Sequence, residues 1–279
     1  MLTAPELKAA LRKYDISPKK YLGQNFLIDT DTIEDIITAC KFTGSDRILE
    51  IGPGLGALTG RIAHSVESLI AIEKDKNVCG ALGDMLKDVK NIRLICDDFL
   101  DVDLEKELAI SSYKFKVVGN LPYYITSPII EKLIESRNNF ESIFITVQKE
   151  VAERLCAKPG GKDYGSLSCF VQFYTRPRIL LDIGKHAFFP EPEVDSSFVE
   201  LNILQKPSVE VKDADKFFAV IRAGFGQRRK TLLNSLLSSE GITLEKPALA
   251  ELLKGIGIDP NIRAERLSLE EFARIADAI

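Results

Sequence analysis

Five short apolar runs, at 47–51, 69–73, 92–96, 116–120 and 142–147, are separated by stretches long enough for helical crossovers. That alternation reads as consecutive βαβ units, and it predicts an α/β fold built on a doubly wound, mostly parallel sheet. Two further strand candidates, 178–183 and 198–204, follow without a clear helix between them. They are expected to form an antiparallel hairpin at the sheet edge. Ahead of the first strand, Ile33, Ile36, Ile37 and Cys40 share one helical face, and Asp31 with Glu34 suggests a capping box at the start of that helix.

The pattern changes near Lys206-Pro207-Ser208, beyond which only helical periodicity is found. Phe217, Val220, Ile221 and Phe225 form one apolar face; Leu232, Leu233, Leu236 and Leu237 form another. A last helix opens at Ser268 with Glu271 three positions on, a second capping-box signature. The expected organisation is an α/β domain over 1–206 and a small all-α C-terminal domain over 207–279.

With 45% apolar and 28% charged residues, the chain has the composition of a globular protein. No apolar run reaches the roughly 18 residues of a membrane span, and the first residues lack the apolar stretch of a signal peptide. The five cysteines, at 40, 79, 96, 156 and 169, form no CxxC pair. They are expected to be reduced and mostly buried, which implies a cytoplasmic protein. His64 and His186 stand at no usual zinc spacing from them, so neither a metal nor a histidine base is expected. The net charge is −4, yet residues 216–230 carry five basic side chains and no acidic one. Such a stripe on an acidic protein can still follow a phosphate backbone.

The strongest local signal is Glu50-Ile51-Gly52-Pro53-Gly54-Leu55-Gly56, directly after the first strand. Glycines there permit a tight turn and close backbone approach to a ligand. A dinucleotide or S-adenosylmethionine would both suit such a loop. The E-x-G-x-G-x-G spacing favours the methyl donor, and so does Pro53, because that ligand has no phosphate to need its missing N–H. Glu73 ends the second strand, where a carboxylate can accept from both ribose hydroxyls. Asp97 or Asp98, after the third, can accept from the adenine amine.

After the fourth strand comes Asn120-Leu121-Pro122-Tyr123-Tyr124. The exocyclic amine of adenine is a poor nucleophile, because its lone pair is delocalised into the ring. Two acceptors, the Asn120 side-chain oxygen and the Leu121 carbonyl, can take its two N–H groups and aim the lone pair at a methyl donor. Pro122 stiffens the turn and Tyr123 offers a stacking surface. Orientation and electrostatics then carry the rate, without a strong base. An adenine inside folded RNA has to be extruded to reach such a loop. Phe188, in Phe188-Phe189-Pro190, is the candidate second stacking ring, with Phe189 packing in the core.

Six motifs in order then resemble one known family. They are G-Q-N-F-L at 23–27, E-I-G-P-G-L-G-A-L-T at 50–59, N-L-P-Y at 120–123, V-Q-K-E-V-A-E-R-L at 147–155, F-x-P-x-P-x-V-D-S at 188–196 and R-A-x-F-x-Q-R-R-K-T-L at 222–232. The chain resembles the ribosomal RNA small-subunit adenine N6,N6-dimethyltransferases, the kasugamycin-sensitivity enzymes, over nearly its whole length. The resemblance implies a Rossmann-like methyltransferase sheet with S-adenosylmethionine as methyl donor. It implies a cofactor site of Asn25, Leu27, Gly52, Gly54, Glu73, Asp98 and Asn120, choosing Asp98 over Asp97. It implies catalytic positions at Asn120, Leu121, Pro122, Tyr123 and Phe188. The implied substrate is two adjacent adenines in the 3′-terminal hairpin of 16S rRNA, on a 30S precursor, with Arg222, Arg228, Arg229 and Lys230 facing RNA phosphates and the protein acting as a monomer. Two other functions compete: a 23S rRNA methyltransferase of the erythromycin-resistance type, usually strongly basic, and a non-catalytic nucleic-acid-binding relative, in which the Asn120–Tyr123 loop would be degraded.

Overall fold

The computed structural model describes residues 4–108, 113–227, 229–239 and 244–279, and its main sheet has seven strands. Through its first six strands the chain runs α1 (Ala4–Lys13), β1 (Phe26–Leu27), α2 (Thr30–Cys40), β2 (Arg47–Ile51), α3 (Thr59–Ala63), β3 (Ser68–Ile72), α4 (Lys76–Met85), β4 (Ile92–Ile95), α5 (Leu104–Leu108), β5 (Phe115–Asn120), α6 (Thr126–Glu135) and β6 (Phe140–Gln148). It continues through α7 (Lys149–Cys156), α8 (Ser166–Tyr174), β7 (Thr175–Ile183), β8 (Phe188–Phe189), β9 (Ser196–Ile203), α9 (Ala214–Phe225), α10 (Leu232–Leu237), α11 (Lys246–Gly255) and α12 (Leu269–Ala278). All five strand candidates of the first half are present, within one or two residues at each end.

β2 pairs in parallel with both β3 and β5, and β5 pairs in parallel with β6. Ile48, Leu49, Val117, Val118, Ile143 and Ile145 in these central strands are almost completely buried, as strands covered on both faces must be. The seven strands hydrogen-bond in the order β4-β3-β2-β5-β6-β9-β7, which reverses at β2 and β5, since β3 and β4 lie on one side and β6 on the other. A ligand crevice is expected at the carboxyl ends of those two strands. β9 runs antiparallel to β6. Arg178 reaches Glu200 while Asp182 reaches Ser197, the reversed order of an antiparallel β7–β9 pair.

Contacts divide the chain into two units, residues 1–152 with 178–203, and residues 153–177 with 204–279. The sequence boundary near 206 is therefore one of three crossings. The earlier two deliver α8 to the second unit, where Phe173 lies 4.9 Å from the Phe217 ring among Leu232, Leu236, Leu253 and Phe272. Linear reading assigned α8 to the α/β domain because its apolar face carries no mark of which unit buries it.

Two further expectations are corrected. The cap of α2 is Asp29, whose carboxylate accepts from Thr32 N at 2.9 Å, and not Asp31. Glu34 points instead to Arg61 at 2.7 Å. Asp29 holds an extended backbone, so the helix begins two residues earlier than the Asp31–Glu34 spacing suggested. The box at Ser268 and Glu271 is present as expected. Cys79 and Cys96 are not both reduced: they form a disulfide with their Cα atoms 5.8 Å apart. α4 is the crossover between β3 and β4, which brings its Cys79 beside the residue that follows β4.

Candidate active site

The crevice at the ends of β2 and β5 is lined by the N-terminal segment 22–27, the glycine loop, the ends of β3 and β4, and the loop 120–125. Apart from the N-terminal segment, each wall follows a strand of the seven-stranded sheet, so the sheet sets their spacing.

Gly54 has φ +57°, a left-handed conformation that disfavours other residues, and a Cβ there would lie 3.0 Å from the Phe26 ring. Its N–H donates to Glu73 Oε2 at 3.1 Å, and Asp75 N donates to Glu73 Oε1 at 2.9 Å. Glu73 is 7% exposed. Burial raises its pKa above the usual carboxylate range, against the pull of the N–H groups of Asp75 and Gly54. Glu50 is deeper, and its Oε2 has no hydrogen-bond partner among the described residues. Burial pushes its pKa up to about 8. Thr59 Oγ1 is likewise buried and unpartnered.

Asp98 lines the crevice, whereas Asp97 lies outside it and accepts from Asp98 N in a turn. Asp98 Oδ1 accepts from Leu100 N at 3.0 Å, and Oδ2 pairs with Lys74. Burial alone would raise the Asp98 pKa; the hydrogen bonds from Lys74 and Leu100 outweigh it and hold the carboxyl below its ordinary range.

On the opposite wall, Asn120 Nδ2 donates to the Asn25 carbonyl at 2.8 Å. Leu121 N donates to Thr146 O at 3.1 Å, and its side chain is buried. Neither Asn120 Oδ1 nor the Leu121 carbonyl accepts a hydrogen bond from the described residues. Pro122 is extended (φ −61°, ψ 128°), and its carbonyl accepts from Ile125 N and Thr126 Oγ1, which closes the turn. Tyr123 is half-buried, with its hydroxyl 2.6 Å from Ser196 Oγ, and burial raises its pKa.

The N-terminal segment is tied in at several points. β1 pairs antiparallel with β8, Phe26 with Phe189 and Leu27 with Phe188. Gln24 Nε2 donates to Asp75 Oδ2 at 3.0 Å, and Lys19 pairs with the same oxygen at 2.8 Å. Sequence reasoning assigned no role to Gln24, Asp75 or Lys74. Gln24 stood inside a quoted motif, but a contact spanning 51 positions leaves no local trace.

Asn25, Leu27, Gly52, Gly54, Glu73, Asp98, Asn120, Leu121, Pro122 and Tyr123 therefore share one crevice. Phe188 does not join them. It is 2% exposed and packs in the core with Leu27, Ile33 and Phe198. Phe189 is the partly exposed ring, beneath Lys8 at 5.3 Å. Phe189 packs, as expected, against a hydrophobic cluster with Leu7 and Phe26, while Phe188 faces the core on the other side of β8 and does not line the crevice, because successive residues of a strand face opposite sides. In the second unit Arg222, Arg229 and Lys230 are exposed, and Arg228 lies outside the described residues.

The crevice fits S-adenosylmethionine in donor and charge chemistry. Glu50 offers a buried oxygen without a partner among the described residues, and the Glu73 and Asp98 side chains are acceptors of the kind that ribose hydroxyls and an adenine amine require.

Comparison with known proteins agrees. The family model for ribosomal RNA adenine dimethylase matches residues 16–279. A relative from Pelotomaculum thermopropionicum named ribosomal RNA small subunit methyltransferase A is 45% identical, covering 98% of this chain and 95% of its own. One of the same name from Moorella thermoacetica is 44% identical, covering 96% and 94%. Among solved structures, a dimethyladenosine transferase from Plasmodium falciparum superposes with a TM-score of 0.74 at 24% identity, covering 90% of this chain and 95% of that one. The 23S rRNA methyltransferase ErmE gives 0.69 at 24% identity, covering 91% and 99%. Those two structures share the fold. The chain belongs to the ribosomal RNA adenine dimethylase family of S-adenosylmethionine-dependent enzymes.

Proposed function

We propose that the protein transfers methyl groups to N6 of two adjacent adenines in the 3′-terminal hairpin of 16S rRNA, on a 30S precursor in the cytoplasm, acting as a monomer. The observation that carries the reading is the Asn120 amide. Its N–H is taken by the Asn25 carbonyl, so its oxygen is left as an acceptor beside the open Leu121 carbonyl. Two acceptors at the end of β5 match the two N–H groups of an adenine amine.

Glu50, Gly52, Gly54, Glu73, Asp98, Asn25 and Leu27 would hold the methyl donor, which supplies an electrophilic methyl on a sulfonium. Asn120 Oδ1 and the Leu121 carbonyl orient the amine, and developing positive charge on N6 is stabilised by those same two oxygens. Pro122 keeps the Leu121 carbonyl in place, and the Tyr123 ring, pinned through its hydroxyl to Ser196, is the stacking surface for an extruded base. Arg222, Arg228, Arg229 and Lys230 supply cations for RNA phosphates. The small-subunit assignment follows the names of the relatives at 44–45% identity.

The test is incubation with methyl-labelled S-adenosylmethionine and undermethylated 30S subunits, with unmodified 50S subunits and naked 23S RNA in parallel. Label in N6,N6-dimethyladenosine from 30S alone is the expected result. Label in 23S RNA would place the protein with the resistance methyltransferases. Binding to 30S with no label would make it a non-catalytic binder.

A further inference from the structure

Asp75 is 3% exposed and caps α4, and its two carboxylate oxygens have separate partners. Oδ1 accepts from Asn77 N at 3.1 Å, the bond that caps the helix. Oδ2 accepts from Gln24 Nε2 at 3.0 Å and pairs with Lys19 Nζ at 2.8 Å. Burial alone would raise the Asp75 pKa; the hydrogen bonds from Lys19 and Gln24 outweigh it and hold the carboxyl below its ordinary range. A neutral serine caps a helix about as well as an aspartate does. The buried charge and the second oxygen therefore serve the N-terminal segment rather than the helix.

That segment is drawn together by the same glutamine. Gln24 Oε1 accepts from Lys19 N at 2.8 Å, while its Nε2 reaches Asp75. The next residue is Asn25, whose carbonyl accepts from Asn120 Nδ2 at 2.8 Å. Directly after it, β1 pairs with β8 in a two-stranded sheet separate from the main one. Asn25 thus lies between two anchors, Asp75 on one side and the β1–β8 pair on the other. The main sheet places Asn120, and these two anchors place the carbonyl that meets it. Asp75 N also donates to Glu73 Oε1 at 2.9 Å, so one residue holds both the Glu73 wall and the segment facing Asn120.

We propose that Asp75 is a positioning residue for methyl transfer: through Gln24 it holds the Asn25 carbonyl against Asn120 and so keeps Asn120 Oδ1 turned to the adenine amine. An amide that loses this partner can rotate and present its NH2 to the crevice. A donor would then face the N–H groups of the amine, where an acceptor is needed. The inference rests on the amine-orienting role of Asn120 given under Proposed function.

The experiment uses the full-length protein with Asp75→Ser, which keeps a helix cap and removes both bonds to the segment, and Gln24→Met, which leaves the cap untouched. Each is also combined with Asn120→Ala. Single-turnover transfer to undermethylated 30S subunits is measured at saturating S-adenosylmethionine, and hydrogen exchange is followed over residues 19–25. Each single variant should slow transfer by about tenfold to about 100-fold, the scale of a misplaced reacting group. The loss should persist at saturating methyl donor, and residues 19–25 should exchange faster. In the Asn120→Ala background neither substitution should slow transfer further, because the amide through which they act is gone. A defect that disappears at saturating donor would overturn the inference, since the segment would then serve donor binding alone. So would losses that multiply with that of Asn120→Ala, which mark an independent or purely structural effect, and so would wild-type rates in both single variants. Should Asp75→Ser fail to fold, Gln24→Met completes the same cycle. Wild-type transfer by Asn120→Ala would overturn the amine-orienting reading and this inference with it, whereas a slow Asn120→Ala with multiplying losses overturns this inference alone.

Discussion

The side-chain amide of Asn120 is fixed by the backbone carbonyl of Asn25, 2.8 Å away and 95 positions earlier in the chain. The contact decides which end of the amide is spent. Nδ2 is held by the N-terminal segment, and Oδ1 is left to accept. A residue at the end of a central strand is thereby oriented by a strap that the sheet does not include.

Asn120→Ala should lower methyl transfer by at least ~100-fold, the scale of losing one preorganised electrostatic group. S-adenosylmethionine binding should weaken far less, since the carboxylates of Glu73 and Asp98 remain. Single-turnover assays with calorimetry on the same protein separate the two. Unchanged turnover would remove the amine-orienting role.

Glu73→Ala should weaken S-adenosylmethionine binding markedly, for two reasons. The proposed ribose acceptor is lost, and Gly54 N and Asp75 N both lose their partner, which loosens the glycine loop. Calorimetric titration reads the effect directly; an affinity equal to wild type would sink the assignment.

Phe188 and Phe189 should separate stability from activity. Phe188→Ala empties a core position and should cost about 3–5 kcal/mol in denaturant unfolding. Phe189→Ala, at a partly exposed site, should cost clearly less. Transfer that falls on Phe188→Ala with no loss of stability would instead mean that this ring serves the substrate.

Glu50 makes stability pH-dependent. Its folded pKa, about 8, lies above its ordinary value of 4.5 because it is buried. Between those values the folded state binds more protons at this site than the unfolded state. The stability this site contributes is therefore complete at low pH and is lost as pH rises through that window. Glu50→Gln, which cannot ionise, should gain stability relative to wild type from pH 5 to pH 8 in urea unfolding. A difference that stays constant across the range would show that Glu50 is ionised in the fold.

The disulfide predicts a thiol count. Denatured without reductant, the protein should show three reactive thiols, from Cys40, Cys156 and Cys169, and five after reduction. Five without reductant would rule out the Cys79–Cys96 bond in that preparation.

Residues whose role is local were legible in the sequence. The five parallel strands follow from apolar runs, the glycine loop from its own spacing, and the Asn120–Tyr123 loop from the chemistry of an aromatic amine. The box at Ser268 and Glu271 was visible because both of its hydrogen bonds lie within four residues. The cap of α2 shows the limit even at short range: acidic residues stand at both 29 and 31, and the extended backbone of Asp29 makes it the cap and leaves Asp31 in the first turn.

What the sequence determined by itself was the family, the strands of a mostly parallel sheet and the two loops that follow its central strands, because apolar runs and loop chemistry are written in contiguous residues. Tertiary structure decided which distant groups meet there. It brought Asn25 to Asn120, joined Gln24 and Lys19 to Asp75, placed Lys74 on Asp98, turned Phe188 inward and joined Cys79 to Cys96. It also sent α8 into the second unit. Each of these depends on side-chain direction and on packing across the fold, and neither is recorded in the spacing of residues along the chain.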